Sequence, residues 1–167
     1  MTQTAISISM QIAALLPRLR RFARAITRNL ADADDLAQLA IERALIHADQ
    51  WQPGSSLETW VYRIMKNAWI DEIRTRVRRD RLFDAEEAGA LVGDNSAQVH
   101  QQQLAVRQAM QQLSDEHRLV VALVLIDGMS YKEAAEVLDI PIGTLTSRLA
   151  RARDALQNLL TDTARTT

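Results

Sequence analysis

No cysteine occurs in the 167 residues, so neither a disulfide framework nor a thiolate zinc site is available. Aromatic residues are scarce, with three Trp, two Tyr and two Phe, and no strand-like alternation of useful length is found. Proline occurs three times and glycine five, at positions that separate helix-period stretches rather than interrupt them. No apolar run approaches the roughly 18 residues of a membrane span. Residues 1–10 lack the basic segment and hydrophobic core of a secretory signal, so a cytoplasmic protein without membrane contact is expected. The three histidines, His47, His100 and His117, form no H-x-x-x-H pair, and there is no phosphate loop, nucleophile elbow or paired acid–base set. The sequence therefore argues against an enzyme, and no catalytic residue, metal or cofactor is expected.

What is present is ordinary in bulk and uneven in detail. Hydrophobic residues make up 47% and charged residues 25%, as in a soluble globular protein. The net charge of −1 hides a segregation. Residues 60–81 carry seven Lys or Arg (Arg63, Lys66, Arg74, Arg76, Arg78, Arg79 and Arg81) against three acids, a surplus of four positive charges. Residues 82–98 carry Asp84, Glu86, Glu87 and Asp94 with no base, four negative charges. A near-neutral total thus hides a strongly segregated chain.

Apolar residues recur at spacings of three and four, the helical period, and the fold class expected is all-α. Residues 15–27 carry the stripe Leu15, Leu19, Phe22 and Ile26, with Pro17 near the helix start because a mid-helix proline costs about 3 kcal/mol. The next helix is expected to begin near Asp32, with Leu36, Leu39, Ala40 and Ala44 inward and Asp35, Gln38 and Glu42 on another face. Gln52-Pro53-Gly54-Ser55-Ser56 is a break. Ser55 and Glu58 have capping-box spacing and predict the start of a long helix. Its stripe Leu57, Val61, Ile64, Ala68 gives way to Ile70, Ile73 and Val77 on nearly the opposite side, so this helix either kinks or is covered on two sides. Residues 82–98 are acidic, hold Gly89, Gly93 and Asn95, and lose the period, as a flexible linker does. Two small helical domains, 10–81 and 99–162, follow from that division. Nothing in the pattern decides whether they pack together.

The sharpest local signal lies in the second domain. Ser114 followed by Asp115 and Glu116 reads as a helix start and Gly128 as its stop. Ser130 and Glu133 form a capping box that opens a short helix, Asp139-Ile140-Pro141 makes a turn, and Leu145, Leu149, Ala152, Leu156 and Leu159 stripe a long helix. Short helix, tight turn and long helix form a helix-turn-helix. With Leu145 at zero, Ser147, Arg151, Thr144 and Arg148 fall at roughly 200°, 240°, 260° and 300°. This contiguous polar face suits base and phosphate contacts, and Arg153 on the other flank suits a phosphate.

The run SYKEAAEVLDIPIGTLTSRLARARDAL resembles region four of extracytoplasmic-function sigma factors of the sigma-70 family. Glu133-Ala134-Ala135, Gly143-Thr144, Ser147-Arg148 and Arg151-Ala152-Arg153 carry the likeness. ADADDLAQLAIERAL and QWQPGSSLETWVYRIMKNAWIDEIRTR independently resemble region two of the same family. The resemblance implies a protein that binds core RNA polymerase and promoter DNA and directs transcription initiation. It implies that Thr144, Ser147, Arg148, Arg151 and Arg153 read the minus-thirty-five element. Arg63, Asn67, Arg74 and Arg78 would serve the minus-ten element, with Gln52, Pro53, Gly54, Ser55 and Ser56 forming the loop that receives a flipped base. Asp35, Leu36, Gln38 and Glu42 match the helix that docks on the polymerase's largest subunit. The QWQPGSSL phrase with the acidic linker looks like the general-stress subgroup of alphaproteobacteria, which is controlled by a small anti-sigma factor.

Departures from the family pattern are Leu39 where Glu is usual, Ile41-Glu42-Arg43-Ala44-Leu45 in place of Phe-Leu-Arg-Ala-Trp, and Thr146 where Lys, Arg or Met is common. They motivate an alternative, a sigma-like decoy that sequesters an anti-sigma factor. A second alternative is an autonomous helix-turn-helix regulator, but such proteins dimerise to match paired half-sites and no spare dimerisation helix is left over, so a monomer is expected. Trp60 reads as a core aromatic; Trp69 is open between core and base stacking.

Overall fold

Pro17 decides the first boundary. It has no N–H to donate and its ring conflicts with a carbonyl one turn back, so the chain breaks at Leu15 between α1 (Thr2–Ala14) and α2 (Leu16–Ile26). The computed structural model describes residues 2–81 and 97–165. In it follow α3 (Leu30–Ile46), a 3-10 turn (Ala48–Gln50), α4 (Leu57–Asp80), α5 (Ala97–Gln112), α6 (Asp115–Val121), α7 (Tyr131–Leu138) and α8 (Ile142–Arg165). Among the described residues there is no strand, and no helix is long and apolar enough to cross a membrane. The all-α expectation holds; the acidic stretch expected as a linker lies, through residue 96, outside the described residues.

Several boundaries differ from those expected. α3 starts two residues earlier than Asp32, because the Asn29 side chain accepts the Asp32 backbone N–H at 2.8 Å and caps the helix itself. The N-cap of α4 is Ser56, which accepts from the Thr59 N–H at 3.2 Å. Ser55 instead donates its hydroxyl to the Gln52 carbonyl inside the loop at 2.7 Å, and Glu58 leaves the cap to pair with Arg18 at 2.6 Å. α1 was not anticipated, since its polar and apolar residues make no clean stripe.

The first lobe is built on α3. Ala33, Ala37, Ala40 and Ala44 are all fully buried along one face, and their small size lets α2 and α4 approach closely. Leu19, Phe22 and Ile26 of α2 meet Val61, Tyr62, Met65, Ala68 and Trp69 of α4 in this core. Each large side chain so buried contributes about 1.5–3 kcal/mol. The Phe22 and Tyr62 rings stand 5.3 Å apart at 53°, a tilted pairing favoured by the ring quadrupoles. Trp69 is therefore a core residue, while Trp60 is half-buried against that core.

α4 runs as one helix of 24 residues and packs against α3 and against α7 of the second lobe. Of its second apolar stripe, Ile70 and Ile73 are half-buried against the core, whereas Val77 is exposed. That second lobe holds Met110, Leu113, Leu119, Val120, Leu123, Val137, Leu145, Leu149 and Ala152 in its core. α6 widens at its end into a π turn (Ala122–Ile126), where the Asp127 N–H reaches the Ala122 carbonyl at 2.9 Å. Gly128 follows with φ +74°, the left-handed stop that glycine adopts at least cost.

Candidate nucleic-acid interface

The helix-turn-helix is closed by its own backbone chemistry. Ser130 Oγ accepts from the Glu133 N–H at 3.2 Å, and the Glu133 carboxylate accepts from the Ser130 N–H at 3.0 Å. The Ser130 hydroxyl also donates to that carboxylate at 2.7 Å, and this bond first, then the one from the Ser130 N–H, holds the Glu133 carboxyl below the usual range for a glutamate. At the far end of α7, Asp139 turns left-handed (φ 55°, ψ 48°), and the Ile140 N–H returns to the Ala135 carbonyl at 3.1 Å. That six-to-one bond ends the helix and sends the chain through Pro141 into α8.

Leu145, Leu149 and Ala152 anchor α8 in the core, which turns the opposite side outward. Ser147, Arg151 and Arg153 are exposed and Thr144 is half-buried. Arg148 is also half-buried and pairs with Glu116 of α6 at 3.2 Å. The short side chains at the start of α8 leave room for a close approach of a duplex, with the guanidinium groups one and two turns along.

On α4, Arg63, Asn67, Arg74 and Arg78 are exposed and share a stripe within roughly 60°. The Arg78 Nε donates to the Arg74 carbonyl at 3.3 Å. Beside them Lys66 is only 8% exposed, and burial first, then the neighbouring Arg63 charge, pushes its ammonium pKa down. The loop before α4 turns at Gly54, whose φ of +96° needs glycine although open space surrounds it. Gln52, Pro53, Gly54, Ser55 and Ser56 are all exposed. The Trp51 indole N–H beneath them is enclosed without a hydrogen-bond partner among the described residues.

On α3, Asp35, Gln38 and Glu42 face solvent. Leu36, inward by its helical period but matched to the docking residues by the resemblance, is 2% exposed and belongs to the core, because it shares the inward face with Ala33 and Ala40; its docking role is corrected accordingly. Leu39, a departure from the family pattern, is half-buried against the same core.

The Sigma-70 region 2 family model matches residues 11–79 and the Sigma-70, region 4 model matches residues 103–156. The chain is 35% identical over 154 residues to the ECF RNA polymerase sigma factor EcfG of Rhodopseudomonas palustris, covering 92% of this chain and 85% of that one. The chain belongs to the extracytoplasmic-function group of sigma-70 factors. The sigma factor is also 33% identical over 147 residues to SigW of Bacillus subtilis, covering 80% of this chain and 78% of that one. Among solved structures, it is similar to the sigma factor RpoE of Bartonella quintana in complex with the anti-sigma factor NepR. That likeness has a TM-score of 0.79 and 30% identity, over 91% of this chain and 95% of that one.

Two groups of this sigma factor escaped the sequence reading. The first is Asp127, whose side chain is fully buried between the lobes. It accepts from Arg18 at 3.0 Å, from Arg21 at 2.9 Å and from the Tyr62 hydroxyl at 2.6 Å. Burial first, and this bond to a carboxylate second, raise the Tyr62 pKa far above that of an ordinary phenol. One signal was available: an acid at a helix C-terminus opposes the macrodipole, so Asp127 needs cations from elsewhere. The second is Arg118, 7% exposed. Its guanidinium donates to the carbonyls of Met110, Gln111 and Leu113 at 2.9 Å each, and to that of Ile26 at 3.3 Å. One buried cation thus satisfies the free carbonyl ends of α5 and α2 together. Burial lowers its pKa and the Asp115 charge offsets part of that.

Proposed function

We propose that this sigma factor directs core RNA polymerase to specific promoters, as a cytoplasmic protein that is monomeric when free. Residues 10–81 hold the polymerase and the minus-ten element, residues 99–162 read the minus-thirty-five element, and residues 82–98 join them. Asp35, Gln38 and Glu42 offer an acidic and amide surface to the polymerase. Thr144, Ser147, Arg148 and Arg151 enter the upstream major groove, with Arg153 on the backbone. Arg63, Arg74 and Arg78 neutralise phosphates near the melted element. Asn67 and the loop from Gln52 to Ser56 accept the extruded base, whose Watson–Crick edge an amide can read.

The observation that carries this reading is the outer face of α8. A capped helix-turn-helix, anchored by Leu145 and Leu149, presents small polar groups and guanidinium groups at the helix start. The likeness to RpoE, seen in complex with the anti-sigma factor NepR, supports an anti-sigma protein as a further partner, and with it a general-stress role. Run-off transcription by core polymerase on a pooled promoter library tests the proposal. Purified chain should yield discrete, promoter-dependent transcripts. Loss of all promoter-dependent product, with retained binding to an anti-sigma protein, would favour the decoy instead.

A further inference from the structure

The contact between the lobes reaches the edge of the surface that α4 would turn toward DNA. The exposed side of Arg63 is tied to the second lobe, its Nη2 donating to the Glu136 carbonyl of α7 at 2.8 Å. Lys66 is covered in the same place, where α7 lies along α4. At the other end of the contact, the buried Asp127 carboxylate holds Arg18, Arg21 and Tyr62 of the first lobe. The cluster spans more than a hundred residues of sequence, 109 between Arg18 and Asp127, so it forms only when the lobes close.

Distance makes closure incompatible with reading two promoter elements at once. Elements centred about 25 base pairs apart lie roughly 85 Å from each other at ~3.4 Å per pair. A compact chain of 167 residues has a radius of gyration of about 15 Å and cannot reach both. Separated lobes can, because the fifteen residues 82–96 allow a span of up to about 50 Å between lobe surfaces.

We propose that Asp127, gripped by Arg18, Arg21 and Tyr62, is the latch of a closed state in which the DNA-reading faces of α4 and α8 are held too close together to engage both promoter elements at once, with α7 occupying Arg63 of α4. The inference rests on the promoter-reading function proposed above for α4 and α8. A buried carboxylate without partners is costly, so the latch holds strongly when complete and fails as a unit when one side is removed. An opening partner therefore has to supply other partners for Arg18 and Arg21, or water for Asp127. The α8 face is outside the contact, so closure leaves the upstream element readable.

The test uses the full chain as wild type, Asp127→Ala, Tyr62→Phe, and the pair R21C/D127C joined by a short bis-maleimide, a clean reaction because the chain has no native cysteine. Small-angle scattering should show Asp127→Ala expanded relative to wild type with unchanged helicity. Tyr62→Phe, which keeps the ring packing, should shift the same way by less. Apparent affinity scales with the fraction of competent molecules. Asp127→Ala should therefore bind a fork duplex carrying both elements about tenfold tighter or better, while binding a duplex with the upstream element alone as wild type does. The crosslinked pair should lose run-off transcription that the uncrosslinked pair supports. An Asp127→Ala chain as compact as wild type, an equal gain on both DNAs, or full activity of the crosslinked chain would each overturn the latch. Wild type inactive with core polymerase would instead remove the functional reading, and scattering alone would still decide whether Asp127 holds the lobes closed.

Discussion

The two basic faces of this sigma factor differ in what already occupies them. On α8, Ser147, Arg151 and Arg153 face solvent, and Arg148 has one partner, Glu116, whose own side chain is 66% exposed. On α4, Arg63 is bonded to a backbone carbonyl of the other lobe and Lys66 is covered by it. A count of Lys and Arg along the sequence treats these groups alike. Their environments do not: an exposed ion pair contributes little and is exchanged readily, whereas a cation held in an interface must lose its partners before it can meet a phosphate. The upstream-reading face is free in the closed molecule, whereas the downstream one has Arg63 engaged by the other lobe while Asn67, Arg74 and Arg78 stay exposed.

Arg118 is the place where that contrast breaks most severely, because it ties both lobes. Arg118→Ala leaves carbonyls of α5 and α2 buried without donors and should cost about 3–5 kcal/mol, read by chemical denaturation. A loss under about 1 kcal/mol would mean that water replaces the guanidinium. Arg148→Ala and Asn67→Ala separate the two faces. A lost base contact is worth about 1–3 kcal/mol, or roughly tenfold to a hundredfold. Arg148→Ala should weaken promoter binding and upstream-element specificity by that much, and unchanged footprints would count against it. Asn67→Ala should leave closed-complex affinity near wild type and impair strand opening, with reduced permanganate reactivity at the minus-ten element; wild-type reactivity would refute it.

The smallest effect expected is at the α7 cap. The Glu133 carboxyl is held below its ordinary value by Ser130, so its contribution is fully present above the unfolded-state pKa. It is lost as pH falls through the lower folded-state value. The difference in melting temperature between wild type and Glu133→Gln should therefore shrink on acidification below the ordinary carboxylate range and stay constant around neutrality.

Much of this arrangement is legible in the sequence because it is local. The stripes through Leu19, Phe22 and Ile26 and through Leu145, Leu149 and Ala152 mark buried faces by their period, and Ser130 with Glu133 announces its own capping box. Errors of one or two residues arose where neighbours compete for the same bonds. Ser55 has the capping-box spacing with Glu58, but its hydroxyl bonds to the Gln52 carbonyl and Glu58 pairs with Arg18, which leaves the cap to Ser56. Leu36 lies inward as its period predicts, and the docking role that the resemblance implies for it fails because family likeness assigns residues to a surface without saying which way each side chain points. Asp127 was not legible as a partner of Arg18, Arg21 and Tyr62, since local patterning carries no information about groups joined only by tertiary closure. The outward positions of Asn67, Ser147 and Arg151 agree with those expected; what they contact is for the experiments above.

The π turn before Asp127 has a consequence for how this sigma factor is compared with others. One extra residue in a single turn delays the chain by about 100° of rotation, so plain α winding of the same residues would aim the carboxylate away from Arg18 and Arg21. A chain one residue shorter at this point would restore the aim without the wide turn. Alignment of an acid beside the glycine is thus insufficient to infer a shared closed state; helix phase has to match as well.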